Sequence, residues 1–200
     1  MGFADTQQEM SLFGMDVTCS DRKTILPLYL TQFIGRQQEV SEIRHLLISQ
    51  RLLTLVGAGG IGKTRMALKG IADLDEMFPD GIWGVELAEL ADSALLLQEV
   101  MTALGLSDVS NQGIVETLIG FLRDRHALLL LDNCEHVLDA CAQVVVALMQ
   151  NCPVLHVLAT SREALNLPGE IVRPMVPLAL PSAYTLPLTE LRKIEAIALF

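Results

Sequence analysis

The sequence predicts an α/β domain, a right-handed, doubly wound and mainly parallel five-stranded sheet with helices on both faces. Three observations predict it. Short apolar runs alternate along the chain with longer stretches of helical period. The run Ala127–Leu131 is fully apolar without alternation, as in a strand covered on both sides, and Leu52–Val56 and Val154–Ala159 read as further short strands rich in apolar residues. Hydrophobic residues make up 51% of the chain and aromatic residues 4%. The core is therefore aliphatic, which suits helices layered on a buried sheet better than a β-sandwich. A length of 200 residues fits one domain, or one domain with an extra arm.

Residues 1–30 show no clear period and read as an N-terminal arm. The core is expected over residues 31–176. Val40, Ile43, Leu46 and Leu47 make one apolar stripe, so Gln37 to Gln50 is an amphipathic helix. Leu52–Val56 is the first strand of the core. Lys63 to about Met77 follows as a helix with Met66, Ala67, Ile71 and Leu74 on one side. Phe78-Pro79-Asp80-Gly81 is a turn, and Ile82 to Leu87 a second strand. Ser93 is the expected cap of a helix that runs to about Leu104 and closes at Gly105. Another helix spans about Gly113 to Arg123. The strand Ala127–Leu131 ends in Asp132, and a helix is expected from Glu135 to Gln150, with Pro153 beyond it. Val154–Ala159 is the next strand, and a shorter one lies around Ile171 to Met175. Residues 177–200 read as a proline-rich connector and then, from Thr189, the start of another helical unit. That abrupt last helix suggests a fragment, or a product shorter than its relatives.

Between the first core strand and the helix at Lys63 lies Gly57-Ala58-Gly59-Gly60-Ile61-Gly62-Lys63-Thr64. It fits G-x-x-x-x-G-K-[ST], the phosphate-binding loop. Glycines let successive backbone N–H groups point at phosphate oxygens without Cβ obstruction. The helix that follows aims its positive end at the same place. Lys63 is placed to reach the β- and γ-phosphates, and the Thr64 hydroxyl to bind Mg²⁺. The candidate nucleotide-binding set here is Gly57, Ala58, Gly59, Gly60, Ile61, Gly62, Lys63, Thr64 and Arg65.

Such a loop needs a second acid for Mg²⁺ at the end of a neighbouring strand. Asp132 after four leucines supplies it, although an Asp there can also cap the next helix. Thr64 and Asp132 are thus the candidate metal ligands. Lys63, Asp132, Arg162 and Glu135 are the candidate catalytic residues. After the Asp stands Asn133, whose amide can position water but cannot take its proton. Glu135 can stand in for the missing acid, or it is simply a first-turn acid favoured by the helix dipole. That departure predicts slow hydrolysis. Arg162, past the strand Val154–Ala159, can meet a γ-phosphate, or pair on the surface with Glu163 or Glu170. Phe33, Ile34 and Arg36 precede the first core strand. They could pack on a base or ribose, but the residues by themselves favour a helix-entry turn.

A net charge of −10 makes direct contact with a nucleic-acid backbone by this segment unexpected. No apolar run approaches the length of a membrane span, and no signal-peptide pattern is present. Cys19, Cys134, Cys141 and Cys152 form no C-x-x-C pair and have no His at zinc spacing. They read as small apolar residues in a reducing cytoplasm.

The motifs, taken together, resemble those of STAND-class ATPases, which are related to the NB-ARC and AAA+ folds. Phe33 to Glu39 resembles their hhGRxxE element, and Leu52 to Thr64 their first strand and Walker A. LLLLDNCEH (128–136) is similar to the Walker B segment of the bacterial regulator branch. LATSRE (158–163) resembles the sensor-1 segment, and VPLALP (176–181) the connector that follows. The likeness is to the ATPase domains of LuxR-type, MalT-like and AfsR-like transcriptional regulators. It implies a three-layer P-loop NTPase sandwich working as an ATP/ADP switch with Mg²⁺. It implies nucleotide contact by Arg36 and a sensor-1 role for Arg162. It also implies protein partners or self-assembly in a full-length context, with DNA contact made by other domains. Two other readings stand beside this one: a module that holds nucleotide without hydrolysing it, and a small-molecule kinase, which lacks an obvious acceptor site or basic lid.

Overall fold

A computed structural model describes residues 24–25, 33, 35–90, 92–106 and 113–177. In chain order the elements are β1 (Thr24–Ile25), α1 (Gln37–Ser49), β2 (Leu52–Val56), α2 (Lys63–Ile71), β3 (Gly81–Glu86), α3 (Leu96–Ala103), α4 (Ile114–Leu122), β4 (Ala127–Asp132), α5 (Leu138–Asn151), β5 (His156–Ser161) and β6 (Ile171–Pro174). The strands form one sheet in the order β1-β3-β4-β5-β2-β6, and every pairing is parallel. Five strands are those expected. The sixth is the two-residue edge strand β1, paired with Ile82 and Trp83 and drawn from the segment read as an arm.

The absence of alternation in β4 has a direct cause: all six of its residues are buried. Leu128 and Leu130 pack under Val40, Ile43, Leu47, Met66 and Ile71 of α1 and α2. Leu129 and Leu131 face the opposite way, toward α3, α4 and α5. Successive strand residues point to opposite faces, so a strand between two helical layers must be apolar throughout. The result is the expected three-layer sandwich.

Several boundaries differ from the sequence expectation. α2 stops at Ile71, not Met77, because Asp73 takes a left-handed conformation at φ 67 and turns the chain. Leu74 stays buried from the turn, which is why the apolar period continues past the helix. The cap before α3 is Asp92, not Ser93. Its carboxylate accepts from the Ala94 N–H at 2.9 Å, and Ser93–Leu95 is a 3-10 turn. The helix expected from Glu135 is split into a 3-10 turn, Cys134–His136, and α5. β5 begins at His156, leaving Val154 41% exposed. Cys134, Cys141 and Cys152 are buried free thiols, as expected of core residues. The hydrogen bond with Cys141, together with burial, pushes the Cys134 thiol far up. Cys19, the proline-rich stretch from residue 178 and the helix from Thr189 lie outside the described residues.

At the N-terminal ends of the strands, Arg51 closes the bottom of the sheet. Its Nε donates to the Leu155 carbonyl at 3.2 Å, and Nη2 to the carbonyls of Met149 at 3.1 Å and Cys152 at 2.5 Å. These oxygens belong to the last turn of α5 and the chain just beyond it, where helical carbonyls have no partner within the helix. His156 sits nearby, edge-on to Phe78 with ring centroids 5.1 Å apart. Its Nδ1 lies 2.9 Å from the Leu47 carbonyl and 3.1 Å from that of Gln50. Burial lowers the His156 pKa below the ordinary histidine value. The unfolded chain therefore binds this proton at a higher pH than the folded one. The stability His156 contributes is present above about pH 6.5 and is lost as pH falls through that value toward the lowered folded pKa. The expected result is a Tm that drops between pH 7.5 and 5.5, with a smaller drop in His156→Gln, measured by thermal melts in matched ionic strength.

Candidate functional site

The site is built where β2 ends. The loop Gly57–Gly62 turns the chain into α2, with Gly60 at φ 75 and Gly62 at φ 94. Both angles lie where L side chains are strained, so glycine is required there. Gly57 meets a different demand. A Cβ on it would stand 3.2 Å from the Met175 carbonyl oxygen at the end of β6. The Gly57 N–H donates to the Ser161 carbonyl at 3.2 Å, tying the loop to β5. α2 carries no acidic residue in its first turn, so no carboxylate there offsets the positive helix end. Lys63 is buried, and its ammonium lies across the loop on the carbonyls of Gly57 at 2.9 Å and Ala58 at 3.3 Å. Ile61 packs at the edge of the α1–α2 core, and Arg65 is half-buried in the first turn of α2.

Thr64 and Asp132, 68 residues apart, meet directly. The Thr64 hydroxyl lies 2.9 Å from each oxygen of the Asp132 carboxylate. Asp132 is 6% exposed. It does not cap a helix, because the chain beyond it forms a 3-10 turn before α5. A hydroxyl and one buried carboxylate are donors that suit Mg²⁺, which keeps several waters and takes one or two protein ligands beside substrate phosphates. Among the described residues there is no group of three or more His, Cys, Asp or Glu side chains able to hold a metal unaided.

The sheet order places β5 between β2 and β4, so Asp132 reaches Thr64 past β5. Thr160 of β5 fills the space between. Its fully buried hydroxyl donates to Asp132 Oδ1 at 2.5 Å and accepts from the Asn133 N–H at 2.9 Å. Sequence reasoning missed this residue. Its place follows from strand order and register, which local sequence does not carry: Leu131 pairs with Ala159, which sets Thr160 level with Asp132. Thr160→Val removes one donor from a buried carboxylate. A hydrogen bond to a charged group contributes about 1.5–3 kcal/mol. We expect a Tm lower by several degrees and a weaker Mg²⁺ dependence of nucleotide binding, checked by melts and by titrations with and without the metal.

Asn133 takes the left-handed conformation at φ 66, where Asn is tolerated better than most residues. Its place after Asp132 thus has a backbone reason independent of water. Glu135 lies on the 3-10 turn, not in the first turn of α5. One of its oxygens accepts from Arg162 Nε at 3.2 Å, and the other, Oε2, is buried with no hydrogen-bond partner. Arg162 therefore pairs with neither Glu163 nor Glu170. Glu170 instead accepts from the N–H groups of Leu165 and Leu167. The Arg162 Nη2 lies 3.5 Å from the point where a Cβ on Gly59 would stand, so the guanidinium rests against the glycine loop.

Arg36 approaches that loop from another side. It is the N-cap of α1 in a left-handed conformation, and its side chain is 7% exposed. Nη1 donates to the Ile61 carbonyl at 3.5 Å and Nη2 to the Val176 carbonyl. Nε lies 3.6 Å from the Glu39 carboxylate. Phe33 packs, partly buried, against the α1–α2 core. Ile34 lies outside the described residues.

The glycine loop at the end of a central parallel strand, with a Thr and a strand-end Asp converging on it, defines a P-loop NTPase fold. The chain belongs to the AAA domain family, whose model matches residues 46–167. The family agrees with the resemblance drawn from the sequence motifs. The chain is 41% identical over 152 residues to an uncharacterized protein of Mycobacterium tuberculosis, covering 76% of this chain and 39% of that protein. It is 45% identical over 129 residues to a putative HTH-type transcriptional regulator of the same organism, covering 64% of this chain and 14% of the regulator. The chain thus spans well under half the length of these relatives. Among solved structures it is similar to a STAND protein with a tetratricopeptide repeat sensor from Pyrococcus horikoshii. There the TM-score is 0.53 at 20% identity, over 74% of this chain and 24% of the other. None of the helices among the described residues is long and apolar enough to cross a membrane.

Proposed function

We propose that this chain is an ATP/ADP-binding switch domain that hydrolyses ATP slowly with Mg²⁺, within a longer signalling or transcriptional regulator. The observation that carries the proposal is the meeting of Thr64 with Asp132 at the start of α2. The glycine-loop N–H groups and the positive end of α2 hold the phosphates, and Lys63 leaves the Gly57 and Ala58 carbonyls for the β- and γ-phosphates. Thr64 and Asp132 would hold Mg²⁺, which supplies positive charge against the phosphate oxygens when bound. Thr160 keeps Asp132 oriented. Asn133 cannot take a proton from water, and this supports slow turnover.

The same residue favours a second reading, a module that holds nucleotide for protein contacts without meaningful hydrolysis. Single-turnover phosphate release from ATP separates the two. Release that stops without Mg²⁺ supports the switch, and tight binding with no release supports the holding module. A regulator role is supported by the relative described as HTH-type. The charge of −10 supports DNA contact by some other part of such a protein. Protein partners or self-assembly would then read the nucleotide state, in the cytoplasm where such regulators meet DNA. Thr64→Ala should weaken nucleotide binding more with Mg²⁺ than without it. Equal loss in both titrations would argue against Thr64 as a metal ligand.

A further inference from the structure

We propose that Glu86, at the end of β3, is a positioning acid for the metal site: its carboxylate accepts hydrogen bonds from water on a Mg²⁺ ion held by Thr64 and Asp132. The inference rests on the Mg²⁺–nucleotide reading above. Strand pairing places the residue. Glu86 is the register partner of Asp132, and neighbouring strands lie about 4.8 Å apart. Parity gives the face. Ile82 packs with the core under α1 and α2, and Val85 with the core on the other side. Successive strand residues alternate. Glu86 therefore falls on the α1–α2 face, where Asp132 meets Thr64. The two strand ends are also tied, since the Leu87 N–H donates to the Asp132 carbonyl at 3.0 Å.

Two carboxylates level with each other on one face are an unfavourable pairing, because like charges directly opposite destabilise a sheet. A nearby Lys or Arg would relieve it, but neither acid makes an ion pair with a described residue. Among the described residues, the donors to the Asp132 carboxylate are neutral hydroxyls, those of Thr64 and Thr160. The pair is short of positive charge, and a divalent cation supplies it. Burial separates the two acids by role. Asp132 is buried beside Thr64 and suits direct contact with the ion. Glu86 is exposed and borders a cavity of about 470 Å³ together with Glu89, so its carboxylate stands in water. Mg²⁺ gives up water reluctantly and keeps several molecules when bound. Their protons need acceptors, and partners in this outer position change metal affinity by about 10–100-fold. Glu89 shares the cavity but lies on the loop beyond β3, without the register that brings Glu86 level with Asp132.

The test is a Mg²⁺ titration of labelled-ADP binding, with a parallel binding curve and a thermal melt in EDTA. The proteins are the wild type, Glu86→Gln, Glu86→Asp, Glu89→Gln and Asp132→Asn. In Glu86→Gln the Mg²⁺ affinity of the ADP complex falls about tenfold. Its metal-free ADP binding and melt stay level or improve slightly, because one repelling charge has gone. Glu86→Asp keeps the charge and recovers part of the Mg²⁺ affinity. Glu89→Gln removes an equal charge from the same cavity and leaves that affinity unchanged. Unchanged Mg²⁺ affinity in Glu86→Gln overturns the assignment. Equal losses in Glu86→Gln and Glu89→Gln overturn it as well, since net charge alone then explains the effect. So does a fall in metal-free binding or metal-free Tm, which marks a structural role. If Mg²⁺ still strengthens ADP binding to the wild type, and Asp132→Asn removes that gain, the switch reading survives any of these results. A wild type whose ADP binding ignores Mg²⁺ overturns both.

Discussion

Lys63→Ala is expected to slow single-turnover phosphate release by about 10²–10³-fold, the usual cost of removing a preorganised positive group from a transferring phosphoryl. Nucleotide affinity should fall as well, by about one to two orders of magnitude for a lost charge-assisted hydrogen bond. The fold should survive. Lys63 contributes only two hydrogen bonds to loop carbonyls, at 2.9 and 3.3 Å, and water can replace a small alanine's missing reach there. Stopped-flow detection of phosphate and a thermal melt check both halves. A melt that collapses along with the activity would show that Lys63 mainly holds the loop together.

Arg51→Met should behave in the opposite way. Three backbone carbonyls between the end of α5 and the residue before β5 lose the Arg51 guanidinium, and of these Cys152 keeps the Leu155 N–H at 3.3 Å. A buried acceptor left unsatisfied costs about 1–3 kcal/mol, and part of that cost is recovered by water. A net loss of about 2–4 kcal/mol corresponds to roughly 5–15 °C in Tm for a domain of this size. Nucleotide affinity measured well below the transition should be unchanged, because Arg51 stands at the far end of the strands from the glycine loop. Equal Tm values for the two proteins would mean that solvent already serves these carbonyls.

These two arginine and lysine roles also mark what a sequence can disclose. Lys63 is legible because its partners are local: the loop, the helix start and the residue type all sit within eight positions of one another. β4 is legible because burial on two faces leaves a run of leucines and a terminal Asp. Arg51 was not legible, since its acceptors lie about a hundred positions away and depend on α5 ending beside β2. Thr160 was hidden for the same kind of reason: strand order, which no local pattern encodes, sets β5 between the two phosphate-site strands. Asp92 took the capping place expected of Ser93, as both residue types suit it. α2 was drawn too long because Leu74 is buried in phase with a helix it does not belong to. The split before α5 traces to Asn133, whose left-handed backbone sends the chain into a 3-10 turn before the helix.

The Arg36 bridge has a mechanical side. One guanidinium spans the carbonyls of Ile61, inside the glycine loop, and Val176, just past the last strand. A planar group bridging two carbonyls, with its Nε beside the Glu39 carboxylate, behaves as a strut. If the loop carbonyl moves by more than about the tolerance of a hydrogen bond, a few tenths of an ångström, one attachment breaks or the other is dragged along. Residue 176 is where the chain leaves the sheet and continues toward its C-terminus. The strut thus gives a change of shape around phosphate a short, rigid route to the point of exit, with no need for the sheet itself to deform.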